Sequence, residues 1–196
     1  MWVVPRSSIL AASSAGIADG IKKEFPAIKN ISVQKRFPDS LDIAVDERNF
    51  WGIFCNDLAG SASSTCVMID ESGYAYAESP EPKGSLILKV RSDDAGVSVG
   101  DFAVRPETMD RIRILAQKLP EAAGVWAEDF ELRQDAPRDI RAAMAGGFHI
   151  FLRTDTDLAN AMRVLKKVLD EEIGDRRSKL DYIDLRFGNK VFYKLR

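Results

Sequence analysis

The sequence of 196 residues is long enough for one domain or two small ones, and its 45% apolar content suffices for a packed core. Its 28 Lys and Arg residues nearly balance its 30 Asp and Glu residues, which excludes recruitment of nucleic acid by bulk charge. With a single histidine and two cysteines, the chain has few of the usual residues of metal sites and acyl-transfer triads, so most enzyme classes are improbable and no cofactor is expected.

The first fifty residues predict a compact unit of strand, helix, strand and strand. Trp2-Val3-Val4 is a candidate first strand. The four-residue spacing of Ile17, Ile21 and Phe25 predicts a helix that ends at Pro26. The runs ISVQ and LDIAVD then alternate between apolar and polar side chains around a turn rich in Pro and Asp, which predicts a hairpin.

From Phe50 onward the pattern changes to strands with long connections. The segments FWGIF, CVMID, YAYAE and SLILKV predict the first group of strands. The segments VWAEDFELR and DIRAAMAGGFHIFLR predict a second group, with Ala145-Gly146-Gly147 as a hairpin turn.

Two amphipathic helices interrupt these strands. The first should begin at Pro106 and end at Pro120, with an apolar face of Met109, Ile112, Leu115 and Leu119. The second follows the Asp and Thr caps of RTDTD, and Gly174 suits its C-terminal cap. Its core-facing stripe consists of Leu158, Ala161, Met162, Leu165, Val168 and Leu169.

The chain closes with a hairpin. Ile183, Leu185 and Phe187 alternate with polar residues, and Gly188-Asn189 fits a two-residue type II′ turn. The final strand has no later strand in sequence to cover it. Together the elements predict an α+β fold of two domains, residues 1–48 and 49–196. The first is a small β-α-β-β unit, and the second is a larger mixed-sheet domain with two main helices and the C-terminal hairpin.

Few residues are candidates for chemistry. Glu47 and Arg48 are adjacent, so on a strand they point to opposite faces and cannot form an acid-base pair. A salt bridge, or a clamp of Arg48 at the domain junction, is therefore favoured. His149 has no neighbouring metal ligand or nucleophile and is expected to be a surface or half-buried strand residue. Asp155 and Asp157 are expected to cap a helix rather than bind calcium.

Cys55 and Cys66 flank a small polar loop between two strands. In an oxidising compartment they could close a loop of roughly 12 residues, which stabilises a fold by about 3 kcal/mol in the chain-entropy model. Spacing alone leaves this disulfide and a pair of reduced thiols equally open. A zinc site with the distant His149 ranks below both.

Several segments together resemble the bacterial division proteins of the FtsQ/DivIB family. The segment EFPAIKNISVQKRFPDSLDIAVDER is similar to the end of that family's POTRA domain. CVMIDESGYAYAE is similar to its ID..G hairpin, and LDYIDLRFGNKVFYK is similar to its closing YIDLRF hairpin. The helix of DLANAMRVLKKVLDEE precedes that hairpin as the family requires. The resemblance covers nearly the whole chain and rests on the order and spacing of the motifs.

The resemblance implies a non-catalytic divisome scaffold, a POTRA domain followed by a β domain, at the extracytoplasmic face of the cell membrane. It implies FtsB-like and FtsL-like partners, or a DivIC-like partner in Gram-positive bacteria, and no nucleic acid or small-molecule substrate. Membrane anchoring is expected only through an N-terminal helix that would precede these residues. An oxidising location would favour the disulfide between Cys55 and Cys66.

In that family the closing strands of the β domain receive a partner segment as an added strand, since an edge strand presents unpaired backbone groups. By matched motif the receiving strand would comprise Lys190, Val191, Phe192, Tyr193 and Lys194. Arg186 and Phe187 would be nearby anchors. The two lysines fit equally well as guards of an edge against aggregation.

Two further hypotheses stay open at this point. A POTRA-bearing transport or secretion component would bind polypeptides by the same strand addition. A small hydrolase on an α+β fold would need a pocket in which Asp184 or Glu131 has a clearly raised pKa.

Overall fold

The computed structural model describes residues 9, 11–56, 65–93, 96–188 and 190–196. They divide into two compact units, the first ending at Asn49 and the second running from Phe50 to Arg196. The boundary expected after residue 48 differs from this division by one residue. The predicted first strand at Trp2-Val3-Val4 lies outside the described residues.

The first unit packs one helix on a two-stranded antiparallel sheet. Its described elements are α1 (Ser14–Glu24), β1 (Ile28–Arg36) and β2 (Ser40–Glu47). The Ser13 hydroxyl caps α1 by accepting a hydrogen bond of 3.1 Å from the backbone N–H of Gly16. The helix ends at Glu24, two residues before Pro26, because a residue that precedes proline is disfavoured in helical geometry.

The second unit is built on a nine-stranded mixed sheet, counted over the described residues. Its strands are β3 (Gly52–Asn56), β4 (Thr65–Ile69), β5 (Ala75–Ser79), β6 (Lys89–Ser92), β7 (Ala127–Arg133), β8 (Ala136–Met144), β9 (His149–Arg153), β10 (Leu180–Phe187) and β11 (Lys190–Leu195). Its α-helices are α2 (Pro106–Ala123) and α3 (Leu158–Lys167). The predicted α+β class, with a mixed sheet, two main helices and a closing hairpin, is confirmed.

The sheet order β11-β10-β9-β8-β7-β6-β3-β4-β5 combines hairpins with two helical crossovers. The pairs β6 with β7 and β9 with β10 are parallel, and a parallel pair cannot be joined by a tight turn. Helix α2 makes the first of these crossovers and α3 makes the second. One continuous core includes Phe54, Phe130 and Ile150 of the sheet together with Leu115 and Leu165 of the helices.

Two of the predicted boundaries are wrong. Helix α2 runs through Pro120 to Ala123 and ends at Gly124, whose φ is +76°. Proline removes only one hydrogen bond of the last turn, and the burial of Ala122 and Ala123 favours the continued helix. The SLILKV run enters the sheet only at Lys89, and Leu86 is fully exposed. An apolar run does not by itself specify where strand pairing begins.

Helix α3 has the predicted caps and stripe but a different ending. The Asp157 side chain accepts a hydrogen bond from the Asn160 N–H at 3.2 Å, so it is the N-cap. After Lys167 the chain widens into a π-helical segment, Val168–Ile173, in which Leu169 and Ile173 are buried. Gly174 therefore ends this segment rather than the α-helix itself.

The ID..G turn between β4 and β5 is organised by a buried aspartate. Asp70 is 2% exposed, and its Oδ1 accepts hydrogen bonds from the backbone N–H groups of Ser72 at 2.8 Å and Tyr74 at 3.2 Å. Gly73 has a φ of +83°, and a Cβ atom there would lie 2.6 Å from the Val104 carbonyl oxygen. This hairpin therefore requires both the aspartate and the glycine.

Candidate functional site

Strand β11 is the last strand at one side of the sheet. Among the described strands it pairs only with β10, in antiparallel orientation. Its side chains are largely accessible, with Phe192 50% exposed and Tyr193 38% exposed. The chain reaches β11 through Gly188, whose φ of +64° suits a turn, while Asn189 lies outside the described residues. This strand can offer a backbone edge to another chain.

The opposite edge, β5, is partly covered by the chain that follows it. The backbone N–H of Ala75 donates to the Asp101 carbonyl at 2.9 Å, and the Gly100 N–H donates to the Ala75 carbonyl at 2.8 Å. An isolated bridge between Tyr74 and Phe102 extends this cover. Because no described segment other than β10 pairs with β11, the two edges differ in their availability.

One face of the sheet, which we call the outer face, carries a row of residues in cross-strand register. The row is Cys66, Cys55, Arg91, Glu131, Arg141, Phe151, Asp184 and Phe192. Neighbouring residues such as Phe54, Val67 and Ile150 point to the other face and belong to the main core. Phe192 and Asp184 therefore lie on the face away from the main core.

A bulge in β10 changes the direction of Phe187. The pairing register shifts between Asp184 and Phe187, with Leu185 buried. Phe187 is 54% exposed and meets the ring of Phe192 edge-on, with centroids 5.4 Å apart and an interplanar angle of 88°. The strict alternation that grouped Phe187 with Leu185 is thus wrong, and Phe187 forms an aromatic pair with Phe192 at the edge.

Arg186 connects this aromatic pair to the outer face. Its Nε and Nη2 donate to the two carboxylate oxygens of Asp184 at 2.9 and 2.6 Å, and its Nη1 donates to Asp139. Its guanidinium carbon lies 5.1 Å from the ring centroid of Phe151 and 5.7 Å from that of Phe187. The hydrogen bonds to Asp184 are the main reason that the pKa of Arg186 is raised.

The remaining residues of β11 divide between the two faces. Val191 and Leu195 pack against the main core, and Tyr193 stands opposite Ile183 in the register. Lys194 lies opposite Tyr182, and its Nζ is 3.2 Å from Asp181. The strand itself carries two lysines and no acidic residue.

The comparison with known families identifies the first unit. Residues 2–48 match the family described as POTRA domain, FtsQ-type. These residues are similar to an FtsQ-type POTRA domain. Over these residues the match confirms the resemblance to the FtsQ/DivIB family, and it supports a cell-division role based on protein interaction. A search of curated proteins found no match to the chain. None of the helices in the described residues is long and apolar enough to cross a bilayer.

The residues expected at the end of the POTRA domain are anchored within it. The backbone N–H of Arg48 donates to the Ala27 carbonyl at 2.8 Å, and its Nε donates to the Pro26 carbonyl at 3.1 Å. These bonds tie the end of β2 to the segment between α1 and β1. Glu47 ends β2 opposite Ile28. A clamp between domains through Glu47 or Arg48 stays a prediction.

Cys55 and Cys66 form a disulfide between β3 and β4 of the second unit. They are directly opposite in the register, with Cα atoms 4.2 Å apart. Both are almost fully buried, and with Ile53 they form a small apolar cluster separate from the main core. The bond therefore joins two neighbouring strands on the outer face.

His149 and the two carboxylates of the hydrolase hypothesis lie on or beside the outer face. Burial, followed by the charge of Arg141, lowers the pKa of half-buried His149. Glu131 accepts a hydrogen bond from Arg141 at 2.7 Å, as Asp184 does from Arg186. No group of three or more His, Cys, Asp and Glu side chains that could hold a metal lies within the described residues.

A charged pair on β6 and β7 was missed by the sequence reasoning. The Nε of Arg91 donates to Asp129 at 2.5 Å, and burial raises the pKa of Asp129 to about 6. The available signal was the alternation in β7, where Asp129 and Glu131 flank the buried Phe130. That pattern places both carboxylates on the outer face, but pairing across strands requires the sheet order.

Proposed function

We propose that this protein is a non-catalytic divisome scaffold, with β11 as the strand that receives an FtsB-like or DivIC-like partner. The observation that carries the proposal is the combination of an FtsQ-type POTRA domain with an uncovered terminal edge strand. A partner segment adding to β11 would satisfy the unpaired backbone groups of that edge, while alternate side chains set specificity. FtsL-like proteins would join the same assembly.

The chemistry of the edge favours an extended partner with an apolar side chain at its centre. On the outer face, exposed Phe187 and Phe192 supply aromatic area of the kind that dominates binding energy at protein interfaces. Lys190 and Lys194 flank Phe192 on the same face and suit acidic neighbours. On the other face, Tyr193 supplies a second aromatic contact.

The proposed location is the extracytoplasmic face of the cell membrane. The Cys55–Cys66 disulfide supports this location, because such bonds persist in oxidising compartments and are rare in the cytoplasm. The family of the matched POTRA domain supports membrane association. An N-terminal membrane helix would supply the anchor.

A titration with the extracytoplasmic segment of the FtsB/DivIC-like protein from the same genome tests the proposal. We expect Phe192→Asp combined with Tyr193→Asp to weaken binding at least about thirtyfold, equivalent to roughly 2 kcal/mol, because it places charge on both faces of the edge. The matched control, Leu86→Asp with Trp126→Asp, also puts two acids at exposed apolar positions and should bind like the wild type. Retained binding by the β11 variant would refute the edge as the docking site.

The partner's backbone provides a second test, specific to strand addition. N-methylation of single amides along a synthetic partner segment should weaken binding at every second position, because only alternate N–H groups face β11. A loss without this period of two would indicate side-chain docking instead. Equal binding of unrelated extended peptides would favour the transport or secretion alternative.

A further inference from the structure

We infer that Arg186 is a positioning residue of the β11 edge: it holds Phe187 against Phe192 in the orientation that a partner meets and makes no contact with the partner itself. The effect of Arg186 on partner binding that we expect rests on the proposed function. The structural part of the inference concerns the unbound protein alone. This indirect role is the alternative to the one expected from the sequence, in which Arg186 is an anchor for the partner.

Three of the five N–H donors of the guanidinium are engaged within the β domain. The two carboxylate oxygens of Asp184 accept hydrogen bonds from Nε and Nη2 of Arg186 at 2.9 and 2.6 Å. Asp184 also accepts a hydrogen bond from the backbone N–H of Arg186 at 3.0 Å. Asp139 of β8 takes a third, across the intervening strand β9. A bidentate carboxylate fixes the plane of a guanidinium and not only its charge.

The guanidinium group also lies against aromatic rings. It contacts the rings of Phe151 and Phe187, and Phe187 in turn meets Phe192. In the register Phe187 stands opposite Lys190, so its ring meets that of Phe192 diagonally rather than directly across the strand pair. Contact with the fixed plane of Arg186 therefore limits where the ring of Phe187 can lie.

The local charge argues against direct contact between Arg186 and a partner. Its single positive charge faces two carboxylates, Asp184 and Asp139, and its side chain is only 30% exposed. An acidic partner group would have to displace one of these carboxylates from a short, partly buried ion pair. Lys190, on the edge strand itself, is the more accessible cation for such a group.

The unbound protein gives the first test. We compare Arg186→Lys, which keeps the charge but loses the fork and the plane, with Arg141→Lys as the matched control. Arg141 also pairs with an acid on the outer face and lies 5.9 Å from the Phe151 ring centroid, but makes no such contact with Phe187. We expect only Arg186→Lys to weaken the nuclear Overhauser contacts between Phe187 and Phe192. Contacts of wild-type strength in Arg186→Lys would overturn the inference.

Binding of the same FtsB/DivIC-like segment at several salt concentrations gives the second test. A positioning role predicts that Arg186→Lys, which keeps the charge, weakens binding roughly tenfold with the wild-type dependence on salt. Direct contact with an acid predicts near-normal binding by Arg186→Lys and a shallower salt dependence in Arg186→Gln, and that result would overturn the inference. If the wild type does not bind the segment, the proposed function fails, and the Phe187–Phe192 contacts still decide the positioning role.

Discussion

Asp129 shows how a single residue can make stability depend on pH. Its carboxylate lies 2.5 Å from Arg91, yet burial outweighs this ion pair and raises its pKa from 3.8 to about 6. Because the pKa is higher in the folded protein than in the unfolded chain, the carboxyl group contributes its full stabilisation below pH 3.8 and loses it as the pH rises through 6. The stability of the protein should therefore increase on mild acidification through this residue.

Replacing Asp129 by Asn removes this titration. Between about pH 7.5 and pH 4.5, the wild type should gain about 2 kcal/mol in unfolding free energy relative to the variant, as the shift in pKa requires. Urea unfolding of both proteins across this range measures the difference. The pKa argument is wrong if the difference stays constant or becomes smaller at low pH.

At the scale of single elements, Pro120 destabilises the last turn of α2. Pro120 lacks the N–H that would donate to the Ala116 carbonyl, and its side chain is exposed. Pro120→Ala should raise the unfolding free energy by about 1 to 2 kcal/mol, because the gain in helix propensity exceeds the greater freedom of the unfolded chain. Denaturant unfolding measures this gain, with Lys118→Ala as a control on the same exposed turn. An unchanged or lower stability for Pro120→Ala would contradict the expectation.

Local periodicity predicted most elements but not their arrangement. The stripe of α3 and the alternation of β8 and β9 are properties of neighbouring residues, so a sequence shows them directly. The parallel pairing of β9 with β10 depends on which strands meet, and alternation carries no such information. The bulge that turns Phe187 outward breaks the alternation that would have predicted it buried.

For the candidate site, the sequence likewise predicted the residues of the edge but not the contacts between them. The position of β11 at the end of the chain indicated an edge strand, and the topology has it last in the described sheet. The role of Arg186 was not accessible, because Asp139 is 47 residues away in sequence and meets Arg186 only across β9. A motif can identify the residues of an edge, whereas the contacts that fix their orientation come from distant strands.

At the scale of the whole molecule, the two units differ in the burial that stabilises them. Every described residue of the first unit keeps measurable exposure, and Leu41, Ile43 and Val45 of β2 are exposed by 38 to 47%. The second unit has a large continuous core, in which Phe130, Ile140 and Ile150 are fully buried. Since apolar burial is the main favourable term in folding, the first unit should have the smaller free energy of opening.

Hydrogen exchange of the whole chain tests this difference. Amides of β1 and β2 should exchange at least about tenfold faster than amides of β8 and β9, since local opening of the first unit exposes little apolar surface. The double variant Cys55→Ser, Cys66→Ser perturbs the second unit alone, because the disulfide lies entirely in that unit. It should reduce the stability of that unit by about 3 kcal/mol and speed its slowest amides, while exchange in β1 and β2 stays unchanged. Equal acceleration in β1 and β2 would mean that the two units open as one cooperative unit.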